Sequence, residues 1–279
     1  MQRAARAAAA GAAIAGAAGA AVAWRALWHE PRTERVRERD LALPHWPAGL
    51  DGLRIALVSD LHAGAPHVRE ERLERLVAAV AASAPDLVLL LGDFVDPKVR
   101  GGAPIAPEAV ADRLGRLEAR LGVFAVLGNH DWLHDGARVA AALRKAGIRV
   151  LENEAVAAGP VWIAGLADLR MRTPDIAAAL EPVPPGAPVV LLSHDPDLFP
   201  QVPDRVALTV SGHTHGGQVA VPVLRRPAIP SRFGERYARG HVQEGGRHLY
   251  VTAGFGTSGW PVRLLAPPEV AVLRLSPAS

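Results

Sequence analysis

Apolar and polar positions follow a regular order from residue 53 onward. Short runs of Leu, Val and Ile are separated by stretches in which apolar residues recur every three or four positions, a spacing that predicts amphipathic helices. In 67–83, for example, Leu73, Leu76 and Val80 share one helical face. The predicted helices are 67–83, 108–120 and 137–145, and the predicted strands are 53–58, 86–91, 123–127, 161–164, 189–192, 206–210, 249–252 and 270–273.

The order of these elements predicts the fold class. The first half alternates strand and helix, which favours parallel strands joined by helical crossovers. The second half is richer in strands and turns, which indicates a second sheet stacked on the first. We therefore expect an α/β fold of two stacked mixed β-sheets flanked by helices, an αββα sandwich, in one domain that spans 51–279.

The N-terminal stretch 7–24 lies between Arg6 and Arg25 and carries no charge; twelve of its eighteen residues are Ala and three are Gly. As a helix it would reach about 27 Å, close to the hydrocarbon thickness of a bilayer. We expect residues 1–28 to anchor the chain in the cell membrane. A cleaved secretory signal is an alternative, because arginines precede the apolar run, and a soluble Ala-rich helix or disordered tail is a third.

The charges around this stretch do not decide on which side of the membrane the rest of the chain lies. Five arginines follow it within 25–39 and two precede it, which by the positive-inside rule favours a cytoplasmic body. A charged start followed by an apolar run favours export instead. Arg alternates with Glu and Asp in 30–40, and we predict 29–50 to be a charged linker.

The composition limits the possible metal ligands and substrate classes. The 279 residues include no Cys, which excludes disulfides and thiolate metal sites, so any metal must be held by His, Asp, Asn or Glu. The net charge of +3 comes from the first 40 residues, because the remainder has 24 basic and 24 acidic residues. Nucleic-acid binding needs a basic footprint, so this balance disfavours a nucleic-acid substrate.

Five predicted strands end in side chains that can hold metal ions. In sheets of this kind ligands gather at the carboxyl ends of strands, so the five turns are expected to face one cleft. Their oxygen and nitrogen donors suit Mn, Fe or Zn. Each residue alone also suits a strand-ending turn, but five such turns in order favour a site. The residues are Asp60 and His62, Asp93, Asn129 with His130 and Asp131, His194, and His213 with His215.

These motifs resemble, in type and order, those of the calcineurin-like metallophosphoesterase superfamily, and the resemblance extends over most of 53–275. The stretches 212–219 and 254–263 further resemble a bacterial subgroup. That subgroup includes the phosphodiesterases YaeI and YkuE and a UDP-2,3-diacylglucosamine pyrophosphatase of lipid A synthesis. Its members often carry an N-terminal membrane or export segment.

The resemblance implies two divalent metal ions, Mn, Fe or Zn, with Asp93 bridging them. It places His130 beside the leaving group as a proton donor. Asp131 is expected to orient His130, or instead to cap the helix that follows. The implied ligands are Asp60, His62, Asp93 and His215 for the first ion and Asp93, Asn129, His194 and His213 for the second.

The reaction implied by the resemblance is hydrolysis of a phosphoric ester through attack of a metal-bridging hydroxide. We expect a phosphodiester or pyrophosphate bond, in a membrane or lipid-linked substrate such as UDP-2,3-diacylglucosamine. A phosphomonoesterase or protein phosphatase of the same superfamily is the alternative. A metal-free binding scaffold on the same fold is an alternative of another class.

A basic segment, 224–240, follows the last motif and holds five arginines with two aromatic residues among them. One interpretation places it over the cleft, where Arg232 and Arg236 would grip a phosphate-bearing or lipidic substrate. The other is a solvated loop, and the sequence does not choose between them.

Overall fold

Two six-stranded sheets form the body of the chain in the computed structural model, which describes residues 2–96, 100–221 and 229–278. The strands are β1 (Arg35–Leu43), β2 (Leu53–Val58), β3 (Leu87–Leu90), β4 (Val123–Ala125), β5 (Arg149–Val150), β6 (Glu154–Ala158), β7 (Val161–Gly165), β8 (Val189–Leu192), β9 (Leu208–Ser211), β10 (Gly240–Glu244), β11 (Arg247–Val251) and β12 (Glu269–Pro277). The helices are α1 (Gln2–Trp24), α2 (Glu70–Ala82), α3 (Pro107–Leu114), α4 (Asn129–Lys145) and α5 (Ile176–Leu180).

The strand orders are β1-β12-β2-β3-β4-β5 in the first sheet and β10-β11-β9-β8-β7-β6 in the second. β2, β3, β4 and β5 run parallel, as do β7, β8, β9 and β11, while β12 is antiparallel to β2. Both sheets are therefore mixed, and the predicted fold of two stacked sheets flanked by helices is confirmed.

One core lies between the two sheets. Leu57 and Leu89 of the first sheet belong to the same buried cluster as Ile163 and Val210 of the second. Because both faces of each central strand are covered, these strands are apolar throughout rather than alternating. The outer helices complete the layers, with Leu73, Val110 and Leu143 of α2, α3 and α4 in a second buried cluster.

The three predicted helices differ from the observed ones in their bounds, and α2, predicted as 67–83, begins at Glu70 and ends at Ala82. The spacing predicted 108–120, but α3 ends at Leu114, where Gly115 follows as its C-terminal cap. The predicted 137–145 matches the part of α4 that follows a kink at Asp135, and the first part, which begins at Asn129, was missed. Residues 129–136 lack a regular apolar face because Trp132 and Leu133 are their only large apolar side chains.

The N-terminal helix α1 has no buried residue. Among the described residues, Gln2–Arg32 is the one helical stretch long enough, and with a sufficiently apolar central part, to cross a membrane. A signal sequence near the N-terminus has a similar length and apolar composition, so both interpretations of this helix fit the observation.

The predicted charged linker, 29–50, is corrected by the structure. Residues Arg35–Leu43 form β1, which pairs in parallel with β12. Glu30 is buried and Trp46 is 3% exposed. β1 escaped prediction because it is an edge strand whose first six residues are mostly exposed, so it carries Arg and Glu where a central strand carries Val and Leu. The globular domain therefore begins before residue 51.

Candidate metal centre

The predicted ligands come together at the carboxyl ends of strands from both sheets. Asp60 and His62 follow β2, Asp93 follows β3, and Asn129 opens α4 just after β4. His194 follows β8, and His213 and His215 follow β9. All seven side chains are buried, at 0–9% exposure. The topology thus converts seven scattered positions into one cluster.

The backbone at five of these seven residues lies in the left-handed region, which non-glycine residues seldom adopt. Such conformations cost about 1–3 kcal/mol each and persist where the surrounding structure enforces them, often at functional sites. The five residues are Asp60 (φ 54°), His62 (φ 44°), Asp93 (φ 57°), His213 (φ 67°) and His215 (φ 52°).

Two glycines allow these turns to approach one another. A Cβ atom added to Gly128 would overlap the carboxylate of Asp93, and one added to Gly212 would overlap Ser59 and the carboxylate of Asp60. Glycine at these two positions therefore follows from close packing around the ligands.

The first group of ligand atoms belongs to Asp60, His62 and His215, which all lie within 4.8 Å of one another. Nε2 of His62 is 3.1 Å from Nε2 of His215, and Nε2 of His215 is 3.4 Å from Oδ1 of Asp60. Nitrogen ligands about 2.0–2.1 Å from one ion are separated by about 2.9–3.4 Å, so this spacing fits a shared first-row cation.

The second group joins Asp93, His194 and His213 within the same limit. Nδ1 of His213 is 3.1 Å from Nε2 of His194, which in turn is 3.2 Å from Oδ2 of Asp93. Nδ1 of His194 contacts the carbonyl oxygen of Leu91 at 2.7 Å. Because a carbonyl only accepts, Nδ1 carries the proton and Nε2 keeps its lone pair for a metal ion.

Asp93 belongs to the second group and also faces the first. Its Oδ2 atom is 3.6 Å from Nε2 of His62 as well as 3.2 Å from Nε2 of His194. Its Oδ1 atom accepts a hydrogen bond of 2.8 Å from the backbone N–H of His130. The carboxylate thus has one oxygen fixed by the protein and one facing both groups.

Asn129 supplies a further test of fit to metal ions. Its Oδ1 atom is buried and has no hydrogen-bond partner among the described residues. A buried amide oxygen without a partner costs free energy unless another group satisfies it, and a cation would do so. Together with the imidazole spacings and the sulfur-free donor set, this observation fits divalent first-row ions.

Electrostatics favour the protonation states that cation ligands need at Asp93, His213 and His215. At His194 burial acts to lower the pKa, but the carboxylate of Asp93 raises it well above the usual value, and a bound cation would have to displace that proton. Burial acts to raise the pKa of Asp93, but the charges of His194 and other histidines hold it well below its usual range. Burial and neighbouring cations lower the pKa of His213 and His215 well below the usual value. An ionised carboxylate and neutral imidazoles are the forms that bind metals. Burial raises the pKa of Asp60, so a nearby cation would stabilise its ionised form.

His130 lies at the edge of the ligand cluster, half-buried, with its ring in the cleft. Its Nδ1 atom is 3.2 Å from Oδ2 of Asp96, and its Nε2 atom is 3.4 Å from Oγ of Ser258. Burial acts to lower the pKa of His130, but the contact with Asp96 and the charge of Asp93 raise it. The ring can therefore hold a proton where it faces the cleft.

Asp131 is not the residue that orients His130, which corrects one of the two expectations for it. Its two oxygens accept backbone N–H groups from Asp93, Phe94, Val95 and Gly128 at 2.8–3.2 Å. The last of these bonds caps α4, which is the alternative that the sequence had left open. Asp131 therefore fixes the loop that carries Asp93, and Asp96 is the carboxylate beside His130.

Asp96 was missed by sequence reasoning. The one signal for it is its position three residues after Asp93, in a segment that precedes the undescribed residues 97–99. The same Oδ2 atom that faces His130 lies 3.2 Å from Nδ1 of His62.

The cleft has a volume of about 460 Å³ and is lined by Asp93, Asn129, His130, Arg170, His213, Thr214, His215, Gly217, Gln218, Val219, Pro230, Ser258, Trp260 and Val262. Arg232 and Arg236, predicted to grip the substrate, are absent from this lining. Arg236 pairs with Glu244, and the backbone N–H of Arg232 donates to Asp197. Two further arginines of the basic segment, 225 and 226, lie outside the described residues.

Arg170 is the cationic side chain that the described lining does contain. Oδ1 of Asp168 accepts the backbone N–H groups of Arg170 and Met171, at 3.0 and 2.7 Å, and so shapes this loop. Nε of Arg170 donates to Asp195 at 3.0 Å, and one terminal nitrogen donates to the carbonyl of Pro230. The guanidinium is held in place and remains 41% exposed, so it can meet an anion.

The αββα sandwich and the His, Asp and Asn side chains at its strand ends define a metal-dependent hydrolase of phosphoric esters. Residues 53–217 match the family described as calcineurin-like phosphoesterase. This match covers more than half of the chain, and the chain belongs to that family.

Three relatives place the chain more closely. It is 33% identical to the metallophosphoesterase YkuE of Bacillus subtilis, over 88% of this chain and 87% of that protein. It is 28% identical to the UDP-2,3-diacylglucosamine pyrophosphatase LpxG of Chlamydia trachomatis, over 88% of this chain and 90% of that protein. It is also 31% identical to a transmembrane protein with metallophosphoesterase domain from Danio rerio, over 88% of this chain but only 58% of that protein.

Proposed function

We propose that the chain hydrolyses a phosphodiester or pyrophosphate bond with the help of two divalent cations. The observation that carries this proposal is the position of Asp93, whose Oδ2 atom faces His62 at 3.6 Å and His194 at 3.2 Å. One carboxylate oxygen between two groups of nitrogen donors suits a bridging ligand. The first cation would be held by Asp60, His62, Asp93 and His215, and the second by Asp93, Asn129, His194 and His213.

Bound divalent cations of this kind lower the pKa of water and neutralise charge on the phosphoryl oxygens. The chain contributes the geometry that makes this useful. The buried histidines and carboxylates hold their ligand atoms rigidly, which removes the cost of reorganisation during the reaction. The fixed guanidinium of Arg170 adds a positive charge on the wall of the cleft.

His130 is the proposed proton donor to the leaving group. Its ring lies in the cleft and contacts a carboxylate through Nδ1, so that Nε2 faces the space where a substrate would lie. A positioned histidine of this type contributes about 10²- to 10⁴-fold to the rate of a proton-transfer step.

A membrane-associated substrate is the further part of the proposal. LpxG, whose name describes it as a UDP-2,3-diacylglucosamine pyrophosphatase, aligns with most of this chain. The N-terminal helix is long and apolar enough to cross a membrane. Both observations support a lipid-linked pyrophosphate or diester as the substrate class and the cell membrane as the location.

The test measures metal content and hydrolysis in the same preparations. Purified protein is analysed for Mn, Fe and Zn, and its turnover of bis(p-nitrophenyl) phosphate is compared with that of the monoester. We expect two equivalents of metal and preference for the diester. A preference for the monoester would favour the phosphomonoesterase alternative.

Two variants separate the proposed roles. Asp93→Asn is expected to lose metal and activity together, because a neutral amide does not offset the positive charge of the cations. His130→Ala is expected to keep the metal and lose about 10²- to 10⁴-fold in kcat. A metal-replete protein that hydrolyses none of the phosphoric esters offered would overturn the proposal and favour a binding scaffold.

A further inference from the structure

We propose that the mouth of the catalytic cleft lies against the lipid bilayer, on an apolar surface formed jointly by the end of the N-terminal helix and the edge of the cleft. The surface consists of Trp24, Leu27, Trp28, Trp260 and Leu265, and its partner is the headgroup and upper acyl region of the bilayer. This inference rests on the proposed membrane anchoring and adds that the cleft opens toward the bilayer.

The helix is joined directly to one wall of the cleft. The backbone N–H of Arg263 donates to the carbonyl of Ala26 at 3.0 Å, and that of Ala266 donates to Oε1 of Glu30 at 2.7 Å. Glu30 is 4% exposed, and it also accepts from Nε of Arg25 at 3.0 Å. The bond from Arg263 to Ala26 and the buried bond from Ala266 to Glu30 thus tie the helix end to residues 258–266, the cleft-edge loop.

The other side of the cleft-edge loop faces the catalytic cluster. Ser258, Trp260 and Val262 line the cleft. The side-chain amide of Gln218 donates to the carbonyls of Ser258 and Trp260 and accepts from the N–H of Ser258, at 2.9–3.1 Å. The loop is therefore held between His215 and its neighbours on one side and the helix end on the other. Little freedom remains for the cleft to turn away from the membrane.

The apolar side chains around this junction are about half exposed, which is unfavourable on a surface that faces water. They include three of the six tryptophans, and tryptophan is the residue most typical of the membrane–water interface. Their exposures are 58% for Trp24, 53% for Leu27, 58% for Trp28, 60% for Trp260 and 45% for Leu265.

Arginines stand beside these tryptophans. The guanidinium of Arg32 lies 3.5 Å from the ring centre of Trp28, and that of Arg100 lies 4.3 Å from that of Trp260. Arginine stacked on tryptophan keeps its charge at headgroup depth while the ring lies among the acyl chains. Anionic headgroups would add to the attraction.

The consequence concerns which substrates reach the metal centre. A lipid-linked phosphoric ester has its phosphorus at headgroup depth, which is the depth of the cleft mouth in this arrangement. Such a substrate would enter from the bilayer without leaving it.

The test places reporters on the surface of the full-length chain in nanodiscs of phosphatidylcholine and phosphatidylglycerol. Since the chain has no cysteine, Leu265→Cys can carry a single environment-sensitive nitrobenzoxadiazole label. Asp204→Cys is the matched control, because Asp204 is 79% exposed and precedes β9, at the edge opposite the cleft. We expect a blue-shifted emission that lipid-borne quenchers suppress at position 265, and water-like emission at position 204.

A second measurement uses the native tryptophans. In a Trp24→Phe, Trp28→Phe background, brominated lipids should still quench part of the fluorescence, and adding Trp260→Phe should remove that part. Adding Trp132→Phe instead should leave it. Water-like emission at position 265, or quenching unchanged by Trp260→Phe, would overturn the inference.

These readouts involve no hydrolysis, so they are independent of the reaction proposed above. The part of the quenching that is present in the unmutated chain and lost in the Trp24→Phe, Trp28→Phe background reports the anchoring itself. If those two are quenched and positions 260 and 265 are not, the helix is anchored and the cleft-facing surface is refuted.

Discussion

Oδ2 of Asp96 lies 3.2 Å from Nδ1 of His130. The same oxygen lies 3.2 Å from Nδ1 of His62, on a buried ring whose Nε2 atom faces the ligand cluster. A carboxylate at Nδ1 keeps a proton there, which leaves the lone pair of Nε2 in His62 free for a cation. In His130 the same carboxylate stabilises the imidazolium, whose Nε2 carries the second proton. Asp96 is thus placed to orient a proposed metal ligand and the proposed proton donor together.

Replacing Asp96 by Asn should slow catalysis without unfolding the protein. An amide of the same shape no longer supplies the negative charge that fixes both rings, and changes of this kind cost about 10- to 100-fold in activity or metal affinity. We expect kcat for the diester to fall by that factor while the thermal midpoint changes little. Unchanged kcat at full metal content would show that the two histidines are oriented by other groups.

Asp131 is expected to affect stability instead. Its carboxylate accepts four backbone N–H groups, three of them in the loop after β3. In Asp131→Asn one oxygen becomes a donor, so buried N–H groups lose their partner at a cost of about 1–3 kcal/mol. Urea unfolding measures this loss.

The matched control for that measurement is Asp135→Asn. Asp135 is exposed and its side chain accepts a single hydrogen bond, from the N–H of Arg138. The same chemical change there should alter the free energy of unfolding by no more than about 0.5 kcal/mol. Equal effects of the two variants would contradict the role assigned to Asp131.

Arg170 is expected to bind the substrate, and Arg236 is not. Arg170→Ala removes a held cation from the cleft, and one charge-assisted hydrogen bond is worth about 1.5–3 kcal/mol. That corresponds to a fall of about 10- to 100-fold in kcat/KM, visible mainly as a higher KM. Arg236→Ala makes the same change at a residue paired with Glu244 outside the cleft lining. Equal kinetic effects of both variants would contradict this assignment and would indicate that the basic segment binds the substrate.

Gly128→Ala should disrupt the metal centre by sterics alone. The added methyl group would overlap the carboxylate of Asp93, so we expect loss of bound metal in elemental analysis. Gly49→Ala introduces the same methyl group where no atom lies within 4 Å and should leave metal content unchanged. Full metal occupancy in Gly128→Ala would mean that the loop after β4 can move aside.

The sequence allowed the sheets and the ligand cluster to be predicted for a physical reason. Central strands buried on both faces must be apolar, so they stand out in the pattern, and parallel strands bring the residues that follow them to one edge. Asp60, Asp93 and His194 were predicted in this way to lie close together, and they do. β1 was missed because an edge strand can carry charges. The strands β5, β6 and β10, which also lie at sheet edges, and the short helix α5 were missed as well.

Other differences concern side-chain partners that only tertiary structure determines. Asp131 directly follows His130 in sequence, yet its side chain points into the loop after β3, whereas Asp96, 34 positions earlier, lies beside the ring. The arginines of 224–240 left a binding lip and a solvated loop both open, and Arg236 pairs with Glu244 outside the cleft lining. Arg170 has no motif around it and reaches the cleft through a turn shaped by Asp168.

Metal removal should destabilise the fold as well as abolish activity. The ligand loops hold five non-glycine residues in left-handed conformations, and bound cations would offset this cost because they bind the folded chain and not the unfolded one. At metal concentrations 100-fold above Kd the gain is about 2.7 kcal/mol per site. We therefore expect chelation to lower the thermal midpoint and added Mn²⁺ or Zn²⁺ to restore it, as followed by differential scanning fluorimetry. Asp93→Asn, which lacks the shared charged ligand, should respond much less. An unchanged midpoint after complete and verified removal of metal would show that the ligand loops are held by protein contacts alone.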